Sequence, residues 1–190
     1  MWEQGRVTES NNQEAILEGV ILDIDAQKNL ESRMKLMRDL VLALDATTDL
    51  NHMVEITKQT LGTVLENFDI YLQLFDWEKR EFLQPAIEQE REYYQRIPMT
   101  KTLDAMVIKR NRSLLIRKPE ILKLERQGRI ILKGQPPEVW LGVPLLIGGK
   151  PAGIIALQDT NNAYSLNETD IELLEFVSVQ VAVSILKKQA

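Results

Sequence analysis

The chain has 190 residues, 44% of them hydrophobic and 27% charged, a balance that allows one domain with a buried core plus appendages. It has no cysteine and a single histidine, His52, which excludes a disulfide framework, thiolate chemistry and a histidine-cluster metal site. The net charge of −5 is uneven: from Lys109 to Lys133 nine basic residues meet only Glu120 and Glu125, so that stretch carries +7 and the rest of the chain −12.

No run approaches the ~18 apolar residues of a membrane span. The opening MWEQGRVTES lacks the basic-then-apolar layout of a secretory leader. A cytoplasmic location without membrane contact is therefore expected. Ala15 to Asp23 (AILEGVILD) reads as a strand, with Ile16, Val20 and Leu22 partly alternating with polar or small positions. It runs into Asp23-Ile24-Asp25, followed by Lys28 and Glu31, a spacing similar to the exit signature of PAS domains with Asp25 in the usual threonine place. A whole PAS domain needs about a hundred residues, so the resemblance implies that residues 1–25 are only its C-terminal remnant; an irregular N-terminal hairpin is the plainer alternative.

Residues 26–45 are expected to form a linking helix. Leu30, Met37 and Leu44 are spaced one heptad apart, Leu40 takes the intermediate core position, and Met34 and Val41 widen the stripe. An isolated helix of this kind needs a partner. A second copy of the chain is one, which predicts a parallel homodimer seam at Leu30, Met37, Leu40 and Leu44; packing onto its own domain is the other.

A second helix is predicted over about 49–67, with Leu50, Met53, Val54, Leu61, Val64 and Leu65 on one face. Phe68 to Asp76 then alternates as a strand, Ile70, Leu72 and Leu74 pointing one way and Tyr71, Gln73 and Phe75 the other. Trp77 to Arg80 reads as a turn and Glu81 to Ile87 as the returning strand. Beyond Ile97-Pro98 the pattern gives a helix over Leu103–Lys109, a short strand over Ser113–Ile116, and a helix from Pro119 to Gln127 that Gly128 stops.

The closing stretch is the most regular. Two apolar runs flank Gly148-Gly149-Lys150, as in a tight antiparallel hairpin, and Asn167 with Asp170 has the layout of a capping box before a long apolar helix. That helix is apolar on more than one side, with Ile171, Leu174, Val181 and Ile185 toward the sheet and Leu173, Phe176, Val183 and Leu186 elsewhere; Phe176 and Val183 therefore join the expected dimer interface.

In this order and spacing, Gly142-Val143-Pro144-Leu145, Gly153-Ile154-Ile155-Ala156-Leu157 and Asp170-Ile171-Glu172-Leu173-Leu174 resemble the closing half of a GAF domain. The resemblance implies an α+β, sandwich-like fold over residues 46–190: a central antiparallel sheet of about six strands, with helices on one face and irregular helices and loops on the other. It further implies a regulatory module that senses a small molecule, usually attached to a histidine kinase or a cyclic-dinucleotide enzyme. The missing cysteines are incompatible with GAF domains that carry a thioether-linked bilin or reduce free methionine sulfoxide. The cyclic-nucleotide subset is also a poor match, because Asn161-Asn162, Leu166 and Asp170-Ile171 depart from its pattern.

A pocket would lie on the sheet face opposite the packed helices, where Tyr71, Gln73, Phe75, Trp140 and Gln158 supply an aromatic wall with amides. No cofactor is assignable. The basic stretch 109–133 admits an anionic ligand, met bidentately by arginine, or a merely solvated surface. Nucleic acid is not expected, since the acidic remainder would repel it. No nucleophile–base pair or phosphate-binding glycine pattern is present, so the expectation is a non-catalytic sensor, the alternative being a dimerisation scaffold whose sheet face is simply filled.

Overall fold

The computed structural model describes residues 2–9, 15–22, 25–47, 49–65, 67–76, 81–83, 99–132 and 134–189. The chain divides into two units, residues 1–35 and 36–190. In the first, β1 (Trp2–Glu9) pairs antiparallel with β2 (Ala15–Leu22) in an unbroken ladder from Trp2 opposite Leu22 to Glu9 opposite Ala15. Asp23 and Ile24 of the PAS-like signature lie outside the described residues. Helix α1 (Asp25–Ala46) starts in this unit and ends in the second.

The second unit continues with α2 (Leu50–Gly62), β3 (Asp69–Asp76), β4 (Glu81–Leu83), a 3-10 turn (Met99–Lys101), α3 (Leu103–Arg110), β5 (Leu114–Arg117), α4 (Lys118–Arg126), β6 (Val139–Ile147), β7 (Lys150–Asp159) and α5 (Glu168–Gln189). Five strands form one sheet in the order β4-β3-β7-β6-β5, every neighbouring pair antiparallel. The α+β class and antiparallel sheet are as expected, with five strands among the described residues. The turn expected at Trp77–Arg80 lies outside those residues, as do Ile97 and Pro98. No helix among them is long and apolar enough to cross a membrane.

Local chemistry sets the joints. Gly148 and Gly149 both adopt positive φ, 57° and 79°, which lets a two-residue turn join Ile147 to its partner Lys150. The Asn167 side chain accepts from the Thr169 N–H at 2.8 Å while the Asp170 carboxylate accepts from the Asn167 N–H at 2.9 Å, completing the reciprocal cap that opens α5. Before it, Asp159 accepts from the N–H groups of Asn161 and Asn162, bonds that hold its carboxyl below the usual range. Helix α2 stops at Gly62, short of Asn67, where the Thr63 hydroxyl donates to the Thr60 carbonyl.

Each face of the sheet carries a core. On one, Leu72, Leu141, Val143, Ile155 and Leu157 pack with side chains from α1, α2 and α5. This corrects the expected dimer seam: Leu40 and Leu44 are fully buried in their own chain's core, and Met37 and Phe176 are half-buried against it. The apolar stripe of α1 beyond Leu36 is thus used within the chain, and a charge at Leu40 would unfold the domain rather than separate two copies. Leu173, expected on the far side of α5, is buried here too. Leu30 at 60% and Val183 at 40% exposure keep an outward position, as do Val179 and Leu186.

Strand β7 is hydrogen-bonded on both edges, and every residue from Gly153 to Leu157 is buried. At Gly153 the neighbouring strand comes so close that a Cβ would meet the Gln73 carbonyl oxygen at 2.4 Å. Gly153→Ala is therefore expected to lower unfolding free energy in denaturant titrations by about 1–3 kcal/mol, the cost of forcing packed elements apart. An unchanged midpoint would contradict the close approach.

Candidate functional site

The second face of the sheet gathers the residues that the alternation of β3 sent away from the helices. Phe75, Trp140, Ile154 and Ala156 form a core with Val107 and Ile108 of α3 and Ile121 and Leu124 of α4, and Tyr71 packs against it. Trp140 lies along the strand so that a Cβ at Gly142 would stand 2.2 Å from its ring; glycine at this position leaves the indole its place.

A buried polar chain crosses this core. The Trp140 indole N–H donates to the Tyr71 hydroxyl at 3.0 Å, and that hydroxyl donates to Asp104 Oδ1 at 2.7 Å. Asp104 stands in the first turn of α3, whose start is fixed by Thr102 accepting from the Ala105 N–H at 3.0 Å. Burial pushes the Asp104 carboxyl up to about 6, although the Tyr71 hydrogen bond pulls it down. The sequence reading missed Asp104. Its signal was a lone carboxylate in the otherwise apolar start of α3, two residues after a threonine cap.

Gln73 sits on the same face, 4% exposed, and among the described residues neither its amide nitrogen nor its amide oxygen has a hydrogen-bond partner. Buried polar groups are nearly always satisfied, and leaving one unmet costs about 1–3 kcal/mol. Of the five predicted ligand residues, Tyr71, Gln73, Phe75 and Trp140 share this interior. Gln158 stands apart at its rim, where its amide reaches Asp69 at 3.4 Å.

The basic stretch separates into two kinds of residue. Some are engaged locally: Arg117 donates to the Ala163 carbonyl and lies over the Tyr164 ring, and Lys118 pairs with Glu138. Others line two clefts beside α3, one of about 500 Å³ and one of about 290 Å³. Lys133 lies outside the described residues. His52 is exposed, its ring within 3.1 Å of the Thr47 hydroxyl. Among the described residues no group of three potential metal ligands occurs.

The Asp104 carboxyl makes stability depend on pH. Its folded value lies above the unfolded one of 3.8, so the folded chain binds the extra proton and the benefit is lost as pH rises from about 4 through 6. Between pH 7 and pH 5 the wild type should gain about 1 kcal/mol over Asp104→Asn in denaturant unfolding. Parallel pH profiles for the two proteins would refute a buried ionisable Asp104.

Residues 45–185 match the family model described as "GAF domain". No curated protein matches the chain. Among solved structures, the GAF domain of an Acinetobacter phosphoenolpyruvate-protein phosphotransferase is 13% identical and superposes with a TM-score of 0.65, over 82% of this chain and 93% of that one. A putative GAF sensor protein from Burkholderia vietnamiensis is 15% identical, with a TM-score of 0.64 over 84% and 97%. A free methionine-R-sulfoxide reductase from Neisseria meningitidis, solved with its substrate, is 13% identical, with a TM-score of 0.65 over 90% and 95%. The family match over most of the length and the shared fold have one reading: the chain belongs to the GAF domain family, found as a sensory and regulatory module in signalling proteins, with enzymes among the neighbours that share its fold.

Proposed function

We propose that this chain is a non-catalytic, small-molecule-sensing module of a multidomain signalling protein of the histidine kinase or cyclic-dinucleotide type, with the ligand received on the sheet face under α3 and α4. The observation that carries the reading is Gln73, a buried amide that, among the described residues, has no partner and lies beside packed aromatic side chains. An amide in that setting is ready for a ligand that offers both an acceptor and a donor. Tyr71, Phe75 and Trp140 supply the apolar wall around it, and Gln158 the rim.

Output passes through α1 and α5 in this proposal. Lys187 near the end of α5 is 3.1 Å from Asp45 at the end of α1, so a shift of one helix is felt by the other. A ligand changes the output only if it prefers one arrangement, and a coupling of about 1–3 kcal/mol suffices for a 5- to 150-fold effect. The β1–β2 hairpin is read as the last strands of a PAS domain, and the module as a cytoplasmic homodimer. With Leu40 and Leu44 withdrawn into the core, the dimer face proposed here is the outward stripe Val179, Val183 and Leu186 on α5.

A second reading, a scaffold without ligand, is favoured by the density of the core around Trp140 and Phe75. Gln73→Leu separates the two. The sensor reading expects wild-type protein to retain a small molecule in native mass spectrometry and the variant to lose it; the scaffold reading expects no retained molecule and a variant more stable by about 1–3 kcal/mol in denaturant unfolding, because an unmet amide has been removed. A wild type empty as purified and unshifted by a metabolite screen leaves the scaffold. For the dimer, Val183→Glu should weaken self-association at least about tenfold in sedimentation experiments; a monomeric wild type overturns that part.

A further inference from the structure

We propose a second ligand site: the cleft between α3 and the turn after α4 binds a phosphate-bearing small molecule with an apolar body, a nucleoside diphosphate in size and chemistry. The cleft of about 500 Å³ is lined by Lys101, Lys109, Arg110 and Arg129, and among the described residues no carboxylate shares its wall. Among the described residues none of these four cations is in an ion pair. Four like charges around one concavity repel each other, and an anion placed there removes that repulsion.

Helix dipoles account for only part of the cluster. Lys109 and Arg110 occupy the last turn of α3, where a cation is favourable without any ligand. Arg129, just past the end of α4, shares that reason, but Lys101 does not, since it precedes α3. The placement of both is built. At the end of α4 the Gly128 N–H donates to the Glu125 carbonyl at 2.8 Å and the Arg129 N–H to the Leu124 carbonyl at 3.0 Å. With Gly128 at φ +66° this is a Schellman stop, and it fixes the backbone of Arg129. The Ile131 N–H then donates to the Lys101 carbonyl at 2.9 Å, tying the wall that carries Arg129 to the one that carries Lys101.

The ligand's body follows from the adjoining cleft. It shares Met106, Arg110 and Arg129 with the basic one and adds Leu114, Ile116 and Leu124, with Gln127 and Glu120 as polar edges, in about 290 Å³. The two adjoining clefts therefore offer cations, Lys123 among them, beside an apolar floor with hydrogen-bonding edges. Arginine meets phosphate oxygens bidentately. A bare polyanion would leave the apolar floor unused.

This site is separate from Gln73, which lines neither cleft. Calorimetric titration of the 190-residue chain with ADP, inorganic pyrophosphate and adenosine tests it. ADP is expected to bind, pyrophosphate more weakly, adenosine not at all, and added salt to weaken ADP binding. Arg110→Gln with Arg129→Gln should reduce ADP affinity about tenfold or more without shifting thermal unfolding, since both side chains are exposed. Gln73→Leu should leave it intact, so the two sites stand or fall separately. No binding of ADP, equal binding by the double variant, or adenosine binding as tightly as ADP would each overturn the proposal.

Discussion

The architecture depends on β7 being covered on both faces while hydrogen-bonded on both edges. A polar side chain in that position is costly unless it finds a partner, and Gly153 to Leu157 accordingly reads as a nearly continuous apolar run. Its alternate residues feed two cores, Ile155 and Leu157 toward the terminal helices and Ile154 and Ala156 toward α3 and α4. Both proposed ligand sites lie on the latter side. The helices that complete that core also carry Asp104 inward and the cleft cations outward, so one short helix, α3, joins the interior of the domain to its basic surface.

The sequence made this arrangement legible where local rules act alone. The glycine pair at 148–149, the reciprocal cap of Asn167 and Asp170, and the alternation of β3 are each properties of a few adjacent residues. The structure contains all three. The alternation alone put Tyr71, Gln73 and Phe75 on the correct side of the sheet. What could not be read was set by contacts distant in the chain. Leu40 and Leu44 have a spacing that suits a partner helix or the chain's own core equally, and only the tertiary fold decides. Asp104 becomes unusual through burial in the folded core, where its hydrogen-bond partner is a tyrosine 33 positions away, a relation that no periodicity encodes.

Charge was legible in the same limited sense. The excess of basic residues between Lys109 and Lys133 is plain from composition, but composition cannot tell a cation that caps a helix from one that faces an empty concavity. The fold sorts them: Arg117 and Lys118 are taken up by Ala163, Tyr164 and Glu138, while Lys109, Arg110 and Arg129 share a cleft with Lys101, which lies before the stretch altogether.

Gly142 and Gly153, one on each strand of the closing hairpin, differ in what obstructs a larger residue, and this bears on how the sequence can drift. At Gly142 the obstacle is the end of the Trp140 side chain, so a smaller residue at 140 could act as a suppressor and restore room. At Gly153 the nearest obstacle is the main-chain oxygen of Gln73, an atom that every amino acid carries alike. No second-site replacement can remove it, and a lineage that loses this glycine must re-thread the strand pair rather than repair it.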